Sequence, residues 1–131
     1  MKAEIFAGKK FDLGTIVLSE QEIIEFAQAH DPLDFHIDKE VAKKTMFKGL
    51  IACGSHLMNY IHKKEWVPRF GKTVICGTGI SNWKFIKPVY PGQKITAELT
   101  VYSMTPNLLI GGHNISWLYE FKNEQGDMVM M

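Results

Sequence analysis

Cysteine is scarce: the chain has only Cys53 and Cys76. They form no CxxC pair and no wider framework, so both are expected to be small buried apolar residues rather than disulfide partners. Long hydrophobic runs are missing too. None approaches the roughly 20 apolar residues of a membrane span. The opening stretch MKAEIFAGKKFDLG lacks the apolar block of a signal peptide. These absences predict a soluble, cytoplasmic protein with no membrane association. The five histidines lack zinc spacing; His56 and His62, six apart, do not share a helix face, and no metal site is expected. Net charge is only +1 and the pI about 7.8, short of the basic footprint of a nucleic-acid binder. No nucleic-acid motif, repeat, low-complexity tract or linker interrupts the 131 residues, which read as one domain, 1–131. Apolar residues make up 46%, enough for a real core.

The small net charge hides an uneven distribution. Residues 1–40 hold nine acids and four bases. Residues 41–94 hold ten bases, Lys84 and Lys87 among them, against the single acid Glu65. This can mark a face for a polyanionic partner, or simply solvated lysines spread over the fold; charge alone favours the second.

The first firm element begins at LSEQEIIEFAQAH. Ser19 is a good N-cap, Glu22 completes a capping box, and Leu18 with Ile23 can form the hydrophobic staple. Ile23, Ile24, Phe26 and Ala27 form a stripe at helical spacing. Pro32 disfavours helical geometry at Asp31 and should end the helix there. Asp38 caps a short turn over KEVAKK. LIACGSHLMNYIHKK reads as one buried helix ending in lysines, with Gly54 near its start. That glycine either packs closely or lets a ligand approach the backbone. The period then changes. Ile95, Ala97, Leu99 and Val101 alternate with polar residues, as do Ile115, Trp117, Tyr119 and Phe121, which predicts antiparallel strands with one buried face. VICGTGISNWKF is expected to be another strand, bent at its glycines. The order argues for an α+β fold, a helix packed on one curved sheet.

HDPLDFHID, residues 30–38, concentrates ionisable groups around the Pro32 break. Asp31 and His36 on one irregular loop could share a water, the carboxylate taking its proton and the imidazolium delivering one. Ordinary turn chemistry explains Asp31–Pro32, capping explains Asp38, and solvation explains Asp34 and His30, so spacing alone favours the plainer reading. Ser55–His56 beside Asp31 would be two members of a nucleophilic triad, but consecutive helix residues point in different directions.

The whole stretch FAQAHDPLDFHIDKEVAKKTMFKGLIACGSHLM resembles the signature of MaoC-like acyl dehydratases, relatives of R-specific enoyl-CoA hydratases. Asp31, His36, Asp38, Ala42, Phe47, Gly49-Leu50-Ile51-Ala52 and Gly54 carry it, and NWKFIKPVYPGQKITAELTV resembles the family's Lys-Pro-Val-x-Pro-Gly-Asp strand pair. The resemblance covers about residues 10 to 130. It implies a hot-dog fold: a long central helix, about residues 50 to 64, wrapped by a curved antiparallel sheet. It implies a homodimer or dimer of dimers acting on an acyl thioester of coenzyme A or acyl carrier protein, with no cofactor beyond that carrier. The implied reaction is a hydro-lyase one, reversible addition of water to a trans-2-enoyl thioester in fatty acid metabolism. Asp31 would be the base, His36 the acid, and the Gly54 N–H the enolate donor. Ser55, Phe35, Phe47, Lys84 and Lys87 would contact substrate, the lysines through carrier phosphates. Departures are Leu33 and Asp34, where the hydratase version has Asn and Pro, and Cys53, where relatives have His. A thioesterase or a non-catalytic acyl-thioester binder on the same fold are the alternatives; the retained Asp31 and His36 speak against the binder.

Overall fold

A computed structural model describes residues 4–131; the first three residues of the N-terminal stretch lie outside it. Four antiparallel strands, β1 (Lys10–Val17), β2 (Lys94–Asn107), β3 (Gly112–Lys122) and β4 (Met128–Met130), form one sheet in the order β1-β2-β3-β4. The β2 alternation predicted from sequence is realised: Ile95, Ala97, Leu99 and Val101 are buried. They face inward because the two-residue strand period puts all four on one side. In β3 the apolar face is buried only at Phe121; Ile115, Trp117 and Tyr119 are half-buried.

Helix α1 (Glu20–His30) starts at Ser19, whose side chain and that of Glu22 form the full capping box. Leu18 and Ile23, the staple pair, are both buried. Asp31 is the C-cap, one residue before Pro32. A four-residue helix α2 (Asp34–Ile37) follows, then α3 (Lys39–Lys43), whose N-cap Asp38 accepts from the N–H groups of Glu40 and Val41. The 30–38 stretch is therefore not wholly irregular: His36 rides on a helical turn after the Pro32 break. Pro32 constrains only the residue before it.

The central helix needs two corrections. Helix α4 runs Gly54–Ile61, not from residue 50. Leu50–Cys53 is extended and buried because its backbone is used elsewhere: Ala52 N–H donates to Val89 O, and Ile51 O accepts from His36. A short apolar run cannot distinguish such a strip from buried helix. Beyond Ile61 the rod widens into a π-helical turn, His62–Trp66, and continues as α5 (Val67–Phe70). Leu57, Ile61 and Phe70 pack onto Leu99, Ile95 and Phe121, so this rod lies against the inner sheet face.

The predicted strand VICGTGISNWKF is not formed. Between Ile75 and Trp83 no backbone group is hydrogen-bonded among the described residues. Only Phe85 makes a β-bridge, to Met130. Strand-like residues need a partner edge, and this segment has none among the described residues. Cys76 sits there exposed, against the expectation of burial; Cys53 is buried as expected, and both thiols are free.

Candidate active site

A cavity of about 330 Å³ opens between the α-helical and sheet sides of the molecule. Asp31, His36, Cys53 and Gly54 lie on its helical side; Phe85–Val89, Val129 and Met130 form the opposite side. Phe47, Ile51, Ala52 and Leu57 complete it. Asp31 Oδ2 lies 3.5 Å from His36 Nε2. The two side chains meet because the helix ends at His30 and α2 turns the chain back, so a five-residue separation becomes a contact.

Their environments differ. The His36 side chain is only 7% exposed, while that of Asp31 is 42% exposed. His36 Nδ1–H donates to Ile51 O at 2.7 Å, which leaves Nε2 facing the carboxylate. The Phe35 ring packs edge-on to the imidazole at 4.4 Å. Orientation of the imidazole is thus set by one carbonyl and one aromatic edge, before any ligand arrives.

Gly54 is the first residue of α4, with Cys53 as N-cap. Its N–H finds no acceptor among the described residues. It lines the same cavity as Asp31 and His36, at the positive end of a helix. The Cys53 thiol lies 3.8 Å from the Ser55 hydroxyl. Burial pushes this thiol above its usual range; the nearby Ser55 works against that and the Asp31 carboxylate adds to it. A thiol kept protonated is a poor nucleophile.

Of the residues singled out in the sequence, Asp31, His36, Gly54, Phe47 and Lys87 line the cavity. Ser55, Phe35 and Lys84 do not line it. Phe35 acts at one remove, against His36 and Phe47. The Lys87 ammonium is engaged by Asp127 at 2.9 Å. Other bases of residues 41–94 also find acids, Lys43 with Glu40 and Arg69 with Glu65. Sequence reasoning passed over Cys53, Phe85, Ile86, Val129 and Met130 as site residues. The signal for Phe85 was its place two residues before Lys87–Pro88.

A family model described as "MaoC like domain" matches residues 3–107. The chain belongs to this family. An uncharacterised Bacillus subtilis protein, YdeM, is 34% identical over 109 residues, covering 81% of this chain and 77% of YdeM. Among solved structures, the R-hydratase PhaJ1 from Pseudomonas aeruginosa has a TM-score of 0.69 at 25% identity, covering 97% of this chain and 77% of that one. A MaoC-like dehydratase from Rhodospirillum rubrum superposes with a TM-score of 0.74 at 24% identity, over 96% of this chain and 87% of that one. This MaoC-like chain therefore has the hot-dog fold, α+β, its helix against an antiparallel sheet. No helix among the described residues is long and apolar enough to cross a membrane.

Proposed function

We propose that this protein catalyses reversible addition of water to a trans-2-enoyl thioester, yielding a 3-hydroxyacyl thioester, with coenzyme A or acyl carrier protein as the thiol. The observation that carries the reading is the Asp31–His36 pair, 3.5 Å apart on the cavity wall that also presents the unpaired Gly54 N–H. A water bridging Asp31 Oδ2 and His36 Nε2 loses its proton to Asp31 as its oxygen attacks C3. Negative charge develops on the thioester oxygen, where the Gly54 N–H and the helix end stabilise it. His36, as imidazolium, delivers a proton to C2. The proton gained by Asp31 then passes to His36 Nε2, restoring both groups. The Ile51 carbonyl keeps Nδ1–H occupied throughout, so Nε2 remains the exchanging nitrogen.

The working unit in this reading is a homodimer. Ile75 and Ile80 are 67% and 72% exposed on a stretch whose backbone groups are unpaired among the described residues. A second copy offers the missing edge. We place the protein in the cytoplasm, where such thioesters are handled.

Incubation with crotonyl-CoA, followed by loss of enoyl conjugation and identification of the products, tests the reaction. The expected product is 3-hydroxybutyryl-CoA. Free thiol without it would assign a thioesterase, and no turnover across chain lengths and carriers would overturn the reading.

A further inference from the structure

An aromatic ring stands where the chemistry requires none. A Cβ built on Gly54 would run into Cδ1, Cε1 and Cζ of the Phe85 ring. Gly54 is not among the residues with positive φ, so its backbone does not call for glycine; the ring does. Burial does not place this ring either, since Phe85 is 63% exposed. Backbone register does. Lys84 and Met131 exchange N–H···O bonds, and Ile86 and Lys87 N–H both donate to Val129 O, which clamps the strip against β4. Trp83 packs against the ring in a tilted arrangement, centroids 5.4 Å apart.

We infer that Phe85 is a specificity-determining residue that admits acyl thioesters unbranched at C2 and rejects those carrying a substituent there. The inference rests on the enoyl-thioester reading above. With the thioester oxygen at the Gly54 N–H, C1 lies beside Gly54, while C3 lies with the water between Asp31 and His36. C2 is one bond from C1 and so passes the ring that covers Gly54. A conjugated enoyl thioester is flat, its C2 and C3 substituents lie in that plane, and in this reading its C2 edge faces the ring. A methyl group on C2 projects from that flat chain toward Phe85, whereas one on C3 lies farther along, toward the catalytic pair. A misfit of one methyl group in a pocket is worth about 10- to 200-fold in kcat/KM.

The test compares crotonyl-CoA, 2-methylcrotonyl-CoA and 3-methylcrotonyl-CoA on the wild type and on Phe85→Ala. The expected result is a preference for crotonyl over the 2-methyl substrate that falls at least about tenfold in Phe85→Ala, with a smaller change for the 3-methyl substrate. An unchanged 2-methyl ratio, or equal shifts for both branched substrates, overturns the assignment. Melting of Gly54→Ala and of Gly54→Ala/Phe85→Ala checks the contact without using activity. The single variant should melt below the wild type and the double variant above the single one; a single variant as stable as the wild type overturns the inference. Wild-type turnover with a fixed ratio removes Phe85 alone, whereas no turnover of any enoyl substrate removes the hydratase reading and this inference together.

Discussion

The two walls of the cavity are held in different ways. The helical wall is fixed mostly by local rules, a proline break after α1 and a glycine opening α4, with one longer tie, the imidazole held by the Ile51 carbonyl. Its key imidazole is buried. The sheet wall is an edge strip, residues 84–87, joined to a three-residue strand and continuing backwards into unpaired chain. Phe85 and Ile86 are exposed there. The pair proposed to hold the water sits on the wall where the imidazole is buried and tied in place. Groups that only shape the acyl chain can sit on the yielding one.

If that division is right, the largest effect belongs to the helical wall. Asp31→Asn keeps the shape and removes the proposed base. Turnover of the enoyl thioester should fall by roughly two to four powers of ten, with melting little changed. Steady-state kinetics beside a thermal melt would reveal a variant with a near-normal rate, and with it a wrong base.

A second pair of substitutions separates packing from pairing. Leu57 is 2% exposed and lines the cavity from α4. Leu57→Ala should cost about 2–5 kcal/mol of stability by denaturant unfolding. Ile80 is exposed, and within one chain Ile80→Asp should cost no more than about 0.5 kcal/mol. In a dimer joined along this stretch it buries a charge, so light scattering should report monomers. An Ile80→Asp protein that stays dimeric moves the interface elsewhere.

The helical wall was largely legible in the sequence because its determinants are local. Ser19 with Glu22, Pro32 after Asp31, and Asp38 before KEVAKK each act within four residues, and each is found as expected. The sheet wall was not. VICGTGISNWKF has strand-forming residues, but whether they form a strand depends on a partner edge that no local pattern encodes. Leu50–Cys53 misled for a related reason: four apolar residues fit a buried helix or a buried extended strip, and the Val89 carbonyl far along the chain decided it. The 3.5 Å approach of Asp31 and His36 came from family likeness rather than spacing, since the turn at α2 that closes the distance carries no strong signal of its own.

A smaller effect probes what supports the helical wall. His56, on α4, is buried and stacks face to face on Phe26 of α1, centroids 4.1 Å apart. Its Nδ1 has no hydrogen-bond partner among the described residues. Burial lowers its pKa from the usual 6.5; the Glu22 carboxylate opposes this and His30 adds to it. Below pH 6.5 the unfolded chain therefore binds a proton that the folded chain resists. Stability is retained above that pH and declines as the pH falls below it. Melting temperature followed from pH 7.5 to 5 should drop less steeply in His56→Phe, which keeps the stack and cannot titrate. Parallel curves would rule out His56 as the source of the acid sensitivity.

The smallest effects are expected from the lysines of the sheet wall, and the two differ in a way the sequence did not show. Lys87 lines the cavity, but its ammonium already meets Asp127, whose carboxyl this contact holds below its ordinary pKa. Lys84 lies outside the cavity lining and makes no ion pair among the described residues, so its charge is free to meet a carrier phosphate beyond the cavity mouth. Exposed charge contacts are worth about 0–1 kcal/mol and are screened by salt. Lys84→Ala should therefore raise KM for a coenzyme A thioester by no more than about fivefold at low salt, with kcat unchanged, the pattern of lost uniform binding. Lys87→Ala should raise it less, because Asp127 competes for the same ammonium. Asp127→Asn frees Lys87 and should lower KM at low salt. KM measured for these three variants at low and high ionic strength distinguishes the roles. If Lys84→Ala and Lys87→Ala leave KM unchanged and salt does not move the wild type, the phosphates bind elsewhere, and the sheet wall shapes the acyl chain alone.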